Sequence, residues 1–307
     1  MTTACCLEPS LATNATVSDD PTNTRDLREA FLQEIRRRFR RLRGLVRRAV
    51  GYATDALDLT GNADVPEPFE YETDRGLIES FMAWFKQAVE DEVLEPVGYS
   101  GRRAGEHWSA QYVRGAVGRG WQNASGRLMQ AGVQVTAEDS VEAVLQLPVT
   151  QAMLRRLYTR VFENLQDITD ESADVIRQEL AQGLAEGANP RKMARRLTSE
   201  IRDLQRTRAE TLARTEVIHA HSEAALTRYE SAGVDRVVHG EWATADDGRV
   251  CPICESLEGR ELSTSEMRTG TFEFEPDDDQ PDSLAGTYPL LPPAHPNGRC
   301  TILPVVT

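Results

Sequence analysis

The chain has 307 residues, enough for about two domains of ordinary size; 40% are hydrophobic but only 6% aromatic, so its core must be mostly aliphatic. Asp and Glu total 49 against 35 Lys and Arg, a net charge of −14, and only Lys86 and Lys192 among the basic residues are lysines. Five cysteines are too few for a disulfide scaffold, no apolar run approaches the ~18 residues of a membrane span, and the polar N-terminus lacks the charged and apolar regions of a secretory signal.

Residues 1–22 read as a disordered, polar N-terminus. A long amphipathic helix is expected over 24–51, where Leu27, Phe31, Ile35, Phe39, Leu42, Val46 and Ala49 recur at three- and four-residue steps. Its other face is almost entirely arginine. After an acidic linker with glycine and proline, 52–73, helices are expected at about 75–94 and 104–130, the second in spite of Gly115, Gly118 and Gly120. Residues 133–149 read as a strand-like or irregular piece, and 150–165 as another helix. Thr169 and Ser172 look like the opening of a helix that ends near Gly187. Asn189 and Pro190 look like an N-cap and a first-turn proline of a helix running to about 203. A longer one, 206–232, stops at Gly233, the residue expected just past a helix end. Beyond it Val234, Val237, Val238 and Trp242 read as strand, and 261–287 as a surface loop with a solvated Asp277-Asp278-Asp279 run.

The strongest chemical signal is Cys251-Pro-Ile-Cys254 followed by His295-Pro-Asn-Gly-Arg-Cys300. A Cys-x-x-Cys turn presents two thiolates to one tetrahedral ion. A His and a further Cys complete a shell of three sulfurs and one imidazole, which points to structural Zn2+. A disulfide, reduced core thiols and a catalytic metal are the alternatives. The 40 residues between Cys254 and His295 can close over such a site, because closure entropy grows slowly with length. The fold class that follows is α+β, a mainly helical N-terminal two-thirds with a small C-terminal antiparallel β domain stapled by zinc.

Two enzymatic readings stand beside this one. His239-Gly-Glu241 ahead of the cysteine pair parallels the His-x-Glu and Pro-Cys-x-x-Cys of zinc deaminases, but here the proline lies inside the motif and nine residues separate Glu241 from Cys251. Arg214 and Glu216, mid-helix with His219 and His221 nearby, could form a small polar active site. Residues two apart do not share a helix face, so Arg214 and Glu216 are expected to bond different partners as structural polar groups. No catalytic residue is assigned.

Between Arg25 and Arg48 there are ten arginines and three acids, a segment of +7 in a chain that is otherwise −21. Arg36, Arg37, Arg38, Arg40, Arg41, Arg43, Arg47 and Arg48 are therefore candidates for contact with DNA or with an acidic protein surface. The alternative is a solvated helix face. The acidic, lysine-poor composition itself is what concentrated salt demands, and predicts a halophilic, archaeal setting; a GC-rich genome would also favour arginine. At molar salt the Debye length is only ~3 Å, so close arginine–carboxylate or arginine–phosphate pairs would matter most.

From about Ile168 to the C-terminus the sequence resembles the phage Mu F-like head-morphogenesis domain of tailed-virus minor capsid proteins. The residues that carry the likeness are Ala213-Arg214-Thr215-Glu216, Tyr229, Gly233, Trp242, the run Asp247 to Cys254, Leu257-Glu258-Gly259, and Pro292 to Cys300. The family's closing motif often has a cysteine where Gly298 stands here. The resemblance implies a division into 23–165, a helical region with the arginine-rich helix, and 166–307, the head-morphogenesis domain with the metal site. It also implies a non-enzymatic protein of a tailed virus, which the composition makes a haloarchaeal one. Its partners would be the portal protein, the inner capsid surface and viral DNA, with no membrane. Its location would be the virion, inside the capsid near the portal, after assembly in the host cytoplasm.

Overall fold

A computed structural model of the protein describes residues 20–50, 74–95, 104–135, 140–188, 190–233, 239–245 and 247–306. The expected α+β architecture holds: long helices come first and a small antiparallel sheet follows. The apolar stripe of the first segment makes helix α1, Arg25–Ala49. The Asp20 carboxylate accepts the backbone N–H groups of Thr24 (2.8 Å) and Arg25 (2.7 Å) at its start, where helical donors have no internal partner. Helix α2, Asp74–Val89, widens into a π turn, Glu90–Leu94, closed by Glu95 at φ 39°.

Helix α3 spans Ala110–Gln130 despite its glycines. At Gly120 the reason is visible: a Cβ there would sit 2.2 Å from the carbonyl oxygen of His221. Glycine is the residue that lets two helix backbones approach this closely.

The piece expected to be strand-like or irregular, 133–149, differs. It carries a short helix α4, Val141–Gln146, capped by the Ser140 hydroxyl, which accepts the Ala143 N–H at 3.1 Å, and it runs straight into the next helix. That helix, α5, is continuous over Pro148–Ala185. Thr169 and Ser172 do not open a new helix within it. Their hydroxyls donate backwards to the carbonyls of Gln166 (2.8 Å) and Ile168 (2.7 Å), which is how such residues are accommodated in a helix interior. The break expected near residue 205 is absent too. Helix α6 runs over Pro190–Ser231, and Thr198, Thr207 and Thr211 each donate to the carbonyl four residues earlier.

Val234, Val237 and Val238 lie outside the described residues. Trp242 falls on strand β1, His239–Ala243. The stretch expected as a surface loop, 261–287, is instead structured. It contains strand β2 (Glu261–Ser263), a helical turn (Thr264–Thr269) with a complete capping box at Ser263 and Glu266, and strand β3 (Thr271–Phe274). Strand β4 is Gly286–Pro289 and β5 is Thr301–Val305. Asp277 to Asp279 are exposed as expected. β1 lies between β2 and β5 in a three-stranded antiparallel sheet, with Trp242 opposite Ile302, while β3 and β4 form a separate hairpin.

The chain divides into two compact units drawn from separated segments. One comprises the described parts of Met1–Glu29, Trp108–Tyr158 and Ala213–Thr307. Its core joins Leu128, Leu226 and Tyr229 from the helices to Trp242, Leu257, Met267 and Ile302 from the β region. Arg127 of α3 ties the sheet to this helical side, donating to the carbonyl of Ile302 (2.9 Å), and the Tyr229 hydroxyl donates to the same carbonyl. The other unit comprises the described parts of Ala30–His107 and Thr159–Leu212. Phe31, Ile35, Phe39, Leu42, Phe85, Leu165 and Ile201 are fully buried there.

Candidate metal centre and the arginine helix

The candidate metal centre is built from two short pieces of chain. Cys251 stands in extended conformation at the N-cap of a single helical turn, Pro252–Glu255, whose third residue is Cys254. Pro252 occupies the first-turn position where its missing N–H costs nothing. The turn brings both sulfurs to one side, and His295 reaches them from the loop after Pro292–Pro293. The Nε2 of His295 lies 2.8 Å from the Cys251 sulfur and 3.1 Å from that of Cys254. On the other side of the ring, Nδ1 lies 2.8 Å from the carbonyl oxygen of Pro296. A carbonyl only accepts, so Nδ1 donates there, and Nε2 is the ring nitrogen turned towards the two sulfurs. Metal-bound histidines are oriented in this way.

These three ligating atoms lie within 4.8 Å of one another and all three residues are buried. Cys300 is buried beside them, with its thiol against that of Cys254. It lines the same small cavity, about 10 Å³, as the other three. That volume suits one atom-sized occupant, and a donor set of thiols with one imidazole fits a borderline-soft ion.

The four side chains shift one another's protonation in opposite directions. Hydrogen bonding with Cys251 and Cys300, together with burial, pushes the Cys254 thiol up. Hydrogen bonding with Cys254 brings Cys300 down in spite of its burial. Burial opposes charge on His295, yet its contact with Cys251 raises it overall. Negative charge is thus already favoured on part of the cluster, which is the state a bound cation stabilises.

Two supports of this knuckle carried the resemblance in the sequence but were given no structural role there. Asp247 is gripped by both guanidinium nitrogens of Arg299 (2.7 and 2.6 Å) and by Arg249 (3.1 and 2.8 Å). These arginines flank Cys300 and Cys251, so the carboxylate bolts the two halves of the ligand set together. The Arg299 hydrogen bonds hold the Asp247 carboxyl well below the usual range. The second support is Thr215, whose hydroxyl accepts the backbone N–H of Asn297 at 3.2 Å. The sequence signals were there, an Asp-x-Arg turn and a Thr between the two charged residues of α6, but their partners are remote in the chain.

Glu216 is buried and Arg214 half-buried on α6. His221 is fully buried, with Nε2 3.1 Å from the Asn123 amide nitrogen, and burial lowers its pKa to about 3. His239 and Glu241 sit on the less buried face of β1, and neither joins the ligating cluster among the described residues.

The candidate partner arginines of α1 divide by helical phase. Arg38 is buried, contrary to a role on an exposed contact surface. Its guanidinium donates to Glu34 (2.9 Å), to Glu95 (2.6 Å) and to the carbonyl of Glu92. Arg37 pairs with Glu34 at 2.7 Å and Arg41 approaches Glu92 at 3.8 Å, so this flank of the helix is answered by carboxylates. Arg36 approaches Glu210 of α6 at 3.9 Å. Arg40, Arg47 and Arg48 are exposed and Arg43 is half-buried. No described helix is long and apolar enough to cross a membrane.

No curated protein and no solved structure matches the chain. A family model described as Phage Mu protein F like protein matches residues 174–303. That stretch contains the three clustered ligands, Cys300, Asp247 and Thr215, and the family suggests a head-morphogenesis or minor capsid role. From the last third of α5 into β5 the chain is thus similar to the phage Mu F-like family.

Proposed function

We propose that the protein is a minor capsid, head-morphogenesis component of a tailed virus, held inside the head near the portal after assembly in the host cytoplasm. The observation that carries this reading is a coincidence of boundaries. The stretch that matches the family model is also the stretch that supplies all the ligand candidates and their supports. On this reading residues 166–307 form the head-morphogenesis domain, and 23–165 present the arginine-rich helix to the portal, the inner capsid surface or the packaged DNA. Arg214 and Glu216 are positioning groups that fix α6 against its neighbours.

The ion we assign to Cys251, Cys254, His295 and Cys300 is zinc in a structural role. With four protein donors it has no open position, so it contributes to folding and not to bond chemistry. The acidic, lysine-poor composition supports a haloarchaeal virus as the source.

The test is the protein composition of purified particles. The chain should be present in few copies, protected from added protease until the head is opened. Its absence from particles, with the protein abundant in the infected-cell lysate, would overturn the proposal. Elemental analysis of the purified protein tests the metal separately, and one zinc per chain is expected.

A further inference from the structure

Trp242 is fully buried, and among the described residues no oxygen or nitrogen accepts from its indole N–H. A buried tryptophan ordinarily gives that proton to a partner, so a donor left alone in a packed core marks a contact that something else completes. The sheet shows where to look. Trp242 stands opposite Ile302 in the β1–β5 register, and Ala243 opposite Thr301. Cys300, two residues before Ile302, therefore falls on the same face as Trp242, at the diagonal position that a large aromatic side chain can reach. Both residues are buried in one cluster with Cys251, Cys254 and Leu257. Hydrogen bonding with Cys254 lowers the Cys300 thiol, and the Trp242 indole lowers it further against its burial. Trp242 does not line the small cavity that Cys251, Cys254, His295 and Cys300 share. It thus meets Cys300 from outside that space, as a donor to the sulfur. Cys300 is also the ligand candidate that stands apart, because the other three already have their ligating atoms within 4.8 Å of one another. A side chain that holds its sulfur decides whether the fourth corner closes.

We propose that Trp242 is a positioning residue of the metal site: its indole N–H donates to the sulfur of metal-bound Cys300 and holds that sulfur as the fourth ligand. The inference rests on the metal reading above and deepens it, by naming the group that completes the shell. A sulfur that carries the charge of a thiolate accepts a hydrogen bond better than a neutral thiol does. Metal binding therefore tightens the contact and gives the lone indole proton its partner. Outer contacts of this kind orient the ligand they touch, and their removal weakens metal binding roughly 10- to 100-fold. The contact also couples the ion to the sheet, because Trp242 pairs with Ile302 across β1 and β5 and lies in the core that both strands share.

The experiment uses the full-length protein loaded with Co2+ and, separately, with an NMR-active cadmium isotope. The unmodified protein should take up one Co2+ per chain and show the absorption of thiolate and imidazole ligands. Trp242→Phe keeps an apolar ring and removes the N–H. It should still bind one ion, but roughly 10- to 100-fold more weakly in competition with a chelator. Its thiolate-to-cobalt band should move to longer wavelength, because a thiolate without its hydrogen bond gives up an electron more easily. Ile302→Val trims the same buried face without removing a donor, and should leave that band in place. In the cadmium form of the unmodified protein, the indole proton of Trp242, assigned by its through-space contacts to Ile302, should be split by the metal nucleus through the N–H···S bond. An indole proton without that splitting would overturn the proposal, and this reading does not depend on either variant folding. A band that stays in place in Trp242→Phe, or moves equally in Ile302→Val, would overturn it as well. Either result alongside one bound ion per chain refutes the role of Trp242 and leaves the metal site standing. An unmodified protein that takes up no Co2+ refutes the metal site itself, and this inference with it.

Discussion

The cysteine–histidine knuckle and the arginine helix concentrate charged chemistry in opposite ways. In the knuckle, groups far apart in sequence converge. Cys251 and Cys254 on one turn meet His295 from a distant loop, and Asp247 clamps Arg249 and Arg299 around them. In α1, groups adjacent in sequence diverge. Arg37, Arg38 and Arg40 lie within four residues, yet one is exposed and salt-bridged, one is buried, and one faces solvent with no acid beside it among the described residues. Ligand spacing tells which residues share a fate, whereas a run of like residues on a helix tells little until the phase of the helix is known.

The sharpest way to break the comparison is to remove a converging group. Cys254→Ser should abolish zinc retention, read by elemental analysis. It should unfold the sheet around Trp242, seen in near-ultraviolet circular dichroism, because a structural site contributes on the order of 10 kcal/mol to folding. A folded, zinc-loaded Cys254→Ser protein would mean that convergence at this point is packing alone.

The next effect concerns His221, which helical phase places inside while His219 remains half-buried. Its folded pKa, about 3, lies below the ordinary 6.5. The unfolded chain therefore binds the extra proton first as pH falls. Stability from this group is complete above pH 6.5 and erodes on acidification down to about 3, by up to ~1.4 kcal/mol per pH unit. His221→Gln should flatten that part of the stability profile in denaturant titrations. An unchanged slope would show that His221 is not held neutral.

Arg38→Ala sharpens the comparison on α1 itself. It removes a buried guanidinium with its bonds to Glu34, to Glu95 and to the Glu92 carbonyl, so it should cost about 2–3 kcal/mol. Arg40→Ala, two residues on, should lie within about 0.5 kcal/mol of the unmodified protein. Equal costs would mean that phase does not sort these arginines.

How much of this was legible follows the same division. The ligand set could be read because Cys-x-x-Cys is local and chemically narrow. The apolar stripe of α1 could be read because a period of 3.6 needs no tertiary knowledge. Helix ends were harder. Thr169 and Ser172 carry the side chains of an N-cap, and only the structure shows that their hydroxyls turn back to Gln166 and Ile168 instead. Polarity misled again at 261–287, where Ser263 and Glu266 cap a helical turn between two strands and do not mark a loop. Asp247 and Thr215 act on groups 52 and 82 residues away, and no local pattern reports such partners.

The smallest effect lies at the first turn of α1, where Arg119 holds Asp26 through both terminal nitrogens. The Arg119 hydrogen bond lowers the Asp26 pKa to about 2, so the pair contributes above the ordinary carboxylate pKa of 3.8 and is lost as pH falls through about 2. Yet the Asp26 side chain is 72% exposed, and such pairs contribute under ~1 kcal/mol. Asp26→Asn should therefore cost little in dilute buffer and nothing measurable in molar salt, where screening acts within ~3 Å. The Arg38 contacts are shielded from solvent, so the cost of Arg38→Ala should persist in the same salt. Chemical denaturation of the two variants at low and molar KCl measures both. If salt erases both costs alike, burial is not what separates the charges of this helix.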